Sequence, residues 1–155
     1  MRWTLQQAEA WRKKVGWLVG GNYTPSNAVN SIEMWNAETF SPDVIDRELG
    51  WAAGIGMNSM RVFLHNLVWE HDAEGFYRRM DQFLSIAAKH GIGSLFVLFD
   101  SCWDPDPKPG QQPAPTPGVH NSWWAQAPGT EVLKNPEKFL PLRGYIEGVI
   151  GRFRD

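Results

Sequence analysis

The run Gly93-Ser94-Leu95-Phe96-Val97-Leu98-Phe99-Asp100-Ser101-Cys102-Trp103 constrains this chain more than any other stretch. The side chains from Leu95 to Phe99 are all apolar, and Asp100 follows at once. An apolar run of strand length, bounded by Gly before it and Asp-Ser after it, predicts a strand buried on both faces. A strand with one wet face would alternate instead. Burial on both faces predicts a parallel sheet covered by helices, and ligands of such sheets sit at the carboxyl ends of the strands. Asp100 and Trp103 stand at that end. A carboxylate beside an indole points to a sugar-like ligand.

The remaining elements alternate around this strand. Thr4 caps a short amphipathic helix through Lys14, with Leu5, Ala8 and Trp11 at helical spacing and Gly16 as its stop. Trp17 to Tyr23 predicts a first strand that includes Asn22 near its end, and a glycine pair inside it marks either a bulge or a close backbone approach. Thr24 to Thr39 reads as a long loop, with Asn27, Asn30, Glu33, Trp35 and Asn36 suited to a polar ligand rim or to a solvated loop with one anchoring Trp. Ser41-Pro42-Asp43 opens a helix with a cap, a proline at the first helical position and an acid at the positive end. Asn58 to Leu64 predicts a second strand that closes on His65-Asn66. An arginine there, Arg61, requires a nearby carboxylate if it points into a cleft, and none if it lies on the sheet surface. Leu67 to Glu74 reads as a second loop at the same sheet end, carrying Trp69, Glu70, His71 and Asp72. Gly75 to His90 is the strongest helix, with Phe76, Met80, Phe83, Leu84 and Ala87 on one stripe.

After the central strand, Asp104 to Gly118 places a proline at nearly every second position, which predicts a stiff, functional loop. Val119 to Trp124 follows, and Pro136 to Phe153 predicts a last helix. Short turns at Gly54-Ile55-Gly56 and Gly91-Ile92-Gly93 alternate with long loops on the opposite side. That segregation predicts an α/β fold: one partial (β/α) barrel domain over residues 1–155, three parallel strand–helix units preceded by a short N-terminal helix.

Composition narrows the function classes. A formal charge of -2 with scattered Lys and Arg argues against a nucleic-acid partner. No apolar run approaches membrane-spanning length, and the first residues lack the apolar core of a signal peptide, so localisation is left undetermined. His65, His71, His90 and His120 have no metal-ligand spacing, no phosphate-cradling glycine loop is present, and no cofactor is expected. Cys102, the only cysteine, reads as a small buried hydrophobe. Tryptophan is the outlier at 9 residues, more than core packing alone requires.

Three stretches carry a resemblance. Arg61-Val62-Phe63-Leu64-His65, then Leu98 to Pro105 (LFDSCWDP), and Pro117 to Ser122 (PGVHNS) together resemble clan A glycoside hydrolases of the family 5-like, cellulase- or mannanase-like group. The similarity covers almost the whole chain. It implies a (β/α)8 TIM barrel, a retaining hydrolase with two catalytic glutamates, and a β-linked glucan or mannan as substrate. It also implies that Arg61 lies beside the nucleophile, and that His65, Asp100, Trp103 and His120 line the sugar cleft.

This chain departs from that pattern. The family's acid/base glutamate follows an asparagine at the end of strand four, and no Asn-Glu dipeptide occurs here. The sequence covers three strand–helix units only. Two readings follow. The first is a glycosidase whose carboxylates come from the loops, with Asp100 and Glu70 foremost and Asp104 and Glu33 behind them, and with Asn22, Trp35, Arg61, His65, Trp69, Trp103, His120 and Trp123 contacting substrate. The second is a non-catalytic carbohydrate-binding or inactive fragment in which the tryptophans bind sugar or fill space. Either way, three parallel strands leave an open edge and an uncovered inner face, which predicts a homodimer that covers them.

Overall fold

The computed structural model describes residues 2–154. Helix α1 (Leu5–Val15) precedes a parallel sheet of β1 (Gly20–Tyr23), β2 (Ser59–Phe63) and β3 (Gly93–Val97), in that spatial order. Between β1 and β2 lie α2 (Ser31–Trp35) and α3 (Pro42–Gly54). Between β2 and β3 lie α4 (Asn66–His71) and α5 (Ala73–Lys89). After β3 come α6 (Thr130–Leu133), a 3-10 turn at Pro136–Lys138 and α7 (Phe139–Phe153). The chain is therefore mixed α/β, with strand–helix alternation around a three-stranded parallel sheet. Among the described residues no helix is long and apolar enough to cross a membrane.

The strands run in register, with Asn22 opposite Arg61 and Arg61 opposite Leu95. Adjacent side chains alternate across the sheet. Met60, Val62 and Phe96 therefore face the helices, while Arg61 and Leu95 face the other way. Gly20 sits opposite Ser59, and a Cβ at Gly20 would collide with the Ser59 carbonyl. Of the two alternatives for the glycine pair, that is the close approach.

The core lies between the sheet and α3, α5 and α7. On α5, Phe76, Met80, Phe83 and Ala87 are buried, as their spacing requires. Phe96 meets Phe83 at 6.2 Å and Phe153 of α7 at 6.5 Å between ring centroids. Tyr145 of α7 is fully buried, and its hydroxyl donates to the Leu98 carbonyl (3.2 Å). Thr4 caps α1 through a reciprocal bond pair with Gln7, and Gly16 closes the helix at φ 71°.

Several expectations are corrected. Strand β3, an edge strand of the sheet, is not buried on both faces. Phe96 packs on α5 and α7, but Leu95 on the opposite face is 61 % exposed, because among the described residues no layer covers that side of the sheet. β3 pairs with β2 alone, so among the described residues its other edge has no strand partner. The stretch from Thr24 to Thr39 is not simply a loop: Asn30 caps α2, which buries Ile32, Met34 and Trp35. Leu67 to Glu74 is not a loop either, for it forms most of α4 and opens α5, where Asp72 caps the Gly75 N–H. Ser41 makes no side-chain cap to α3, and Pro42 alone marks its start. Helix α1 is amphipathic in sequence but buries none of its residues, and Leu5 is 91 % exposed.

Candidate functional site

The carboxyl ends of the three strands open into a depression of about 430 Å³. Each strand contributes to it. Asn22 comes from β1, Arg61 and Phe63 from β2, and Asp100 from just beyond β3. The loop after β3 supplies Cys102 and Trp103, and its return supplies His120, Asn121 and Trp124.

The depression is held by that returning loop. Asp100 and Ala127 exchange backbone N–H···O bonds, both 2.8 Å, as an antiparallel bridge. The Asp104 N–H donates to the Trp124 carbonyl (2.9 Å), and the Gln126 N–H donates to the Asp104 carbonyl (2.9 Å). Trp124 is buried edge-on against Phe63, with ring centroids 5.1 Å apart, and its indole N–H donates to Asp100 Oδ2 (2.8 Å). One carboxylate oxygen of Asp100 is thereby engaged at the floor.

Trp103 forms the wall. It stands at φ 68°, in the left-handed region that L side chains seldom adopt, and the residue is 59 % exposed. The exposed His120 ring meets it edge-on at 6.2 Å. Arg61 lies on the exposed face of β2 with its guanidinium over the Phe63 ring at 4.5 Å and 3.4 Å from Asn22 Oδ1. Arg61 lines the depression together with Asp100, yet among the described residues it makes no ion pair. Cys102 is exposed and lines the depression, which corrects its reading as a buried hydrophobe.

Of the residues singled out in the sequence, Asn22, Arg61, Asp100, Trp103 and His120 come together here. The others do not. Trp35 is fully buried in the core and donates its indole N–H to the Phe63 carbonyl (2.8 Å). Trp69 packs between α4 and α7, 5.9 Å from the Tyr145 ring, and donates to the Tyr77 hydroxyl (2.7 Å). Gly144 of α7 leaves room for its ring, and Gly148 leaves room for the Tyr77 hydroxyl. Trp123 lies outside the depression, and its carbonyl accepts from Asn30 Nδ2 (2.8 Å). Glu70 is an exposed residue of α4 that accepts from Asn66 Nδ2 (2.8 Å), and it does not line the depression with Asp100. Asp104 closes a local turn by accepting from the Asp106 N–H (3.0 Å).

His65 is fully buried rather than cleft-lining. Its Nδ1 accepts from the Leu67 N–H (3.2 Å), which caps α4. Nε2 therefore carries the proton and donates to the Gln126 carbonyl (3.1 Å). Burial pushes its pKa down to about 4, against the opposing effect of the Gln126 bond, so the ring is neutral at pH 7. It fastens the returning loop to the end of β2.

From the sequence, Trp124 counts only among the tryptophans that bind sugar or fill space, and Asn121 is not singled out as a site residue. The adjacent Trp123 and Trp124 are alike in sequence, and the bridge partners of Asp100 and Asp104 set which of them turns inward. The only signal was the short extended stretch Trp124 to Ala127, whose residues pair back across the loop.

Chemically, the site offers one exposed indole, one carboxylate, a cation and two amides. Among the described residues no group of three or more His, Cys, Asp or Glu side chains could hold a metal ion. Comparison with protein-family profiles, curated proteins and solved structures gives no match.

Proposed function

We propose that this chain binds a β-linked glucan- or mannan-type carbohydrate at the carboxyl ends of its three strands, as the resemblance to family 5-like glycoside hydrolases implies. The observation that carries this reading is Trp103: a large indole, more than half exposed, at the mouth of a polar depression. An apolar ring left in water costs free energy unless a ligand covers it, and the C–H face of a sugar ring does so. Asn22, Arg61, Asp100 and His120 surround it with groups that bond hydroxyls from several directions.

Binding is favoured over hydrolysis by the carboxylate inventory. Both retaining and inverting glycosidases need two carboxyl groups flanking the scissile bond, roughly 5–9.5 Å apart. Among the described residues Asp100 is the one carboxylate that lines the depression, and Glu70 is elsewhere. The test is calorimetric titration with cellohexaose and mannohexaose, beside an assay for reducing ends. Saturable binding without turnover is expected, and Trp103→Ala weakens it at least tenfold. Turnover abolished by Asp100→Asn would restore the hydrolase reading, and no binding of either sugar would remove both.

A further inference from the structure

A second concavity, of about 620 Å³, lies beside the strand-end depression and shares Asn121 with it. One wall is the segment after β1, where Asn27 and Glu33 lie. The other is the proline-rich loop, including Gln111 and Pro115. These two stretches are far apart in sequence and are fastened together. Asn30 is buried and its Nδ2 donates both to Gln112 Oε1 and to the Trp123 carbonyl, each at 2.8 Å. Asn36 Nδ2 donates to the Gly110 carbonyl (2.9 Å), and the Thr116 N–H donates to Ser122 Oγ (2.9 Å). Prolines alternating along the loop hold its backbone extended and remove its donors, so its groove-facing polar groups are chiefly side chains.

The side chains of Asn27, Gln111 and Asn121 line this groove, and among the described residues none of them makes a hydrogen bond. Each carboxamide presents a donor and an acceptor together. A hydroxyl is likewise a donor and an acceptor, so a row of free amides suits a chain of sugar hydroxyls. Glu33 Oε2 is taken by the Val29 N–H (2.6 Å), which makes that carboxylate a structural brace of the wall.

We infer that the amide-lined groove between the α2 segment and the proline-rich loop is an extension of the carbohydrate site, taking further units of the same oligosaccharide chain through Asn27, Gln111 and Asn121. The inference rests on the carbohydrate reading of the Trp103 depression. The groove has no exposed aromatic ring, so it adds affinity to a chain already anchored at Trp103 and does not act alone.

The experiment compares cellobiose with cellohexaose, and mannobiose with mannohexaose, by calorimetry on the full chain. At least one hexasaccharide is expected to bind tenfold or more tightly than its disaccharide. The double variant Asn27→Ala, Gln111→Ala, both at exposed positions, is expected to erase that length advantage and leave disaccharide affinity within twofold. Circular dichroism confirms that it folds. Equal affinity for both lengths, with Trp103→Ala still abolishing binding, would overturn the groove and leave the depression standing. A length advantage that survives the double variant also overturns it. If no oligosaccharide binds, the carbohydrate reading fails and the groove assignment with it.

Discussion

The indole N–H of Trp124 meets Oδ2 of Asp100 at 2.8 Å, joining the segment just after β3 to a residue 24 positions later. A long loop is costly to order, and this bond to a charged acceptor adds a side-chain tie to the backbone bonds that close it. Trp124→Phe keeps a ring against Phe63 but removes the donor. It should lower stability by about 1.5–3 kcal/mol, measured by urea denaturation. Asp100→Asn keeps an acceptor in place and should cost less.

His65 makes the fold sensitive to acid. Its imidazole is buried and neutral with a pKa of about 4, against about 6.5 in an unfolded chain. The unfolded state therefore takes up the proton first. The stabilising contribution is complete above about pH 6.5 and is lost as pH falls toward 4, by about 3 kcal/mol in all. The imidazole proton resonances of His65 should titrate near pH 4. In denaturation curves, His65→Gln should flatten the slope between those values.

Gly20 and Gly21 are neighbours with opposite expectations. A Cβ at Gly20 meets the Ser59 backbone across the β1–β2 pair, while one at Gly21 meets nothing within 4 Å. Gly20→Ala should destabilise by about 1–3 kcal/mol through overpacking. Gly21→Ala should be neutral or stabilising by about 0.4–1 kcal/mol, since it restricts the unfolded chain. Thermal melts of the two variants separate the cases.

Leu95 stands exposed on the uncovered face of the sheet, beside the unpaired edge of β3. Such a face favours association. Light scattering of the parent chain should give a mass above that of one copy, rising with concentration. Leu95→Lys should lower it without changing the melting temperature. A single-copy mass at every concentration would remove self-association as the means of covering this face.

Much of the architecture was legible in the sequence because it is local. The α5 stripe follows from a 3.6-residue period, and the Thr4 and Gly16 helix signals depend on chemistry within a few residues. Strand order and parallel pairing followed from the alternation of elements. The short helices α2 and α4 were missed because their apolar residues, Ile32 and Trp35 or Val68 and Trp69, span too little chain to show a period.

Only the tertiary structure decided which tryptophan does what. Trp35, Trp69 and Trp124 each have an indole N–H bonded to a group in another segment of the chain, namely the Phe63 carbonyl, the Tyr77 hydroxyl and Asp100. Among the described residues the indole N–H of Trp103 has no such partner, and its ring faces solvent. A buried N–H must be satisfied, so the partner places the ring in the core, and partners are brought near by the path of the chain rather than by neighbours in sequence. The sequence by itself determined that an apolar stretch would lead into Asp100 with an indole close behind, although β3 itself ends at Val97. The tertiary structure decided that Leu95 of that strand is exposed, that Asp100 is braced by Trp124, and that Glu70 is not its partner, because each outcome depends on what the rest of the chain brings alongside.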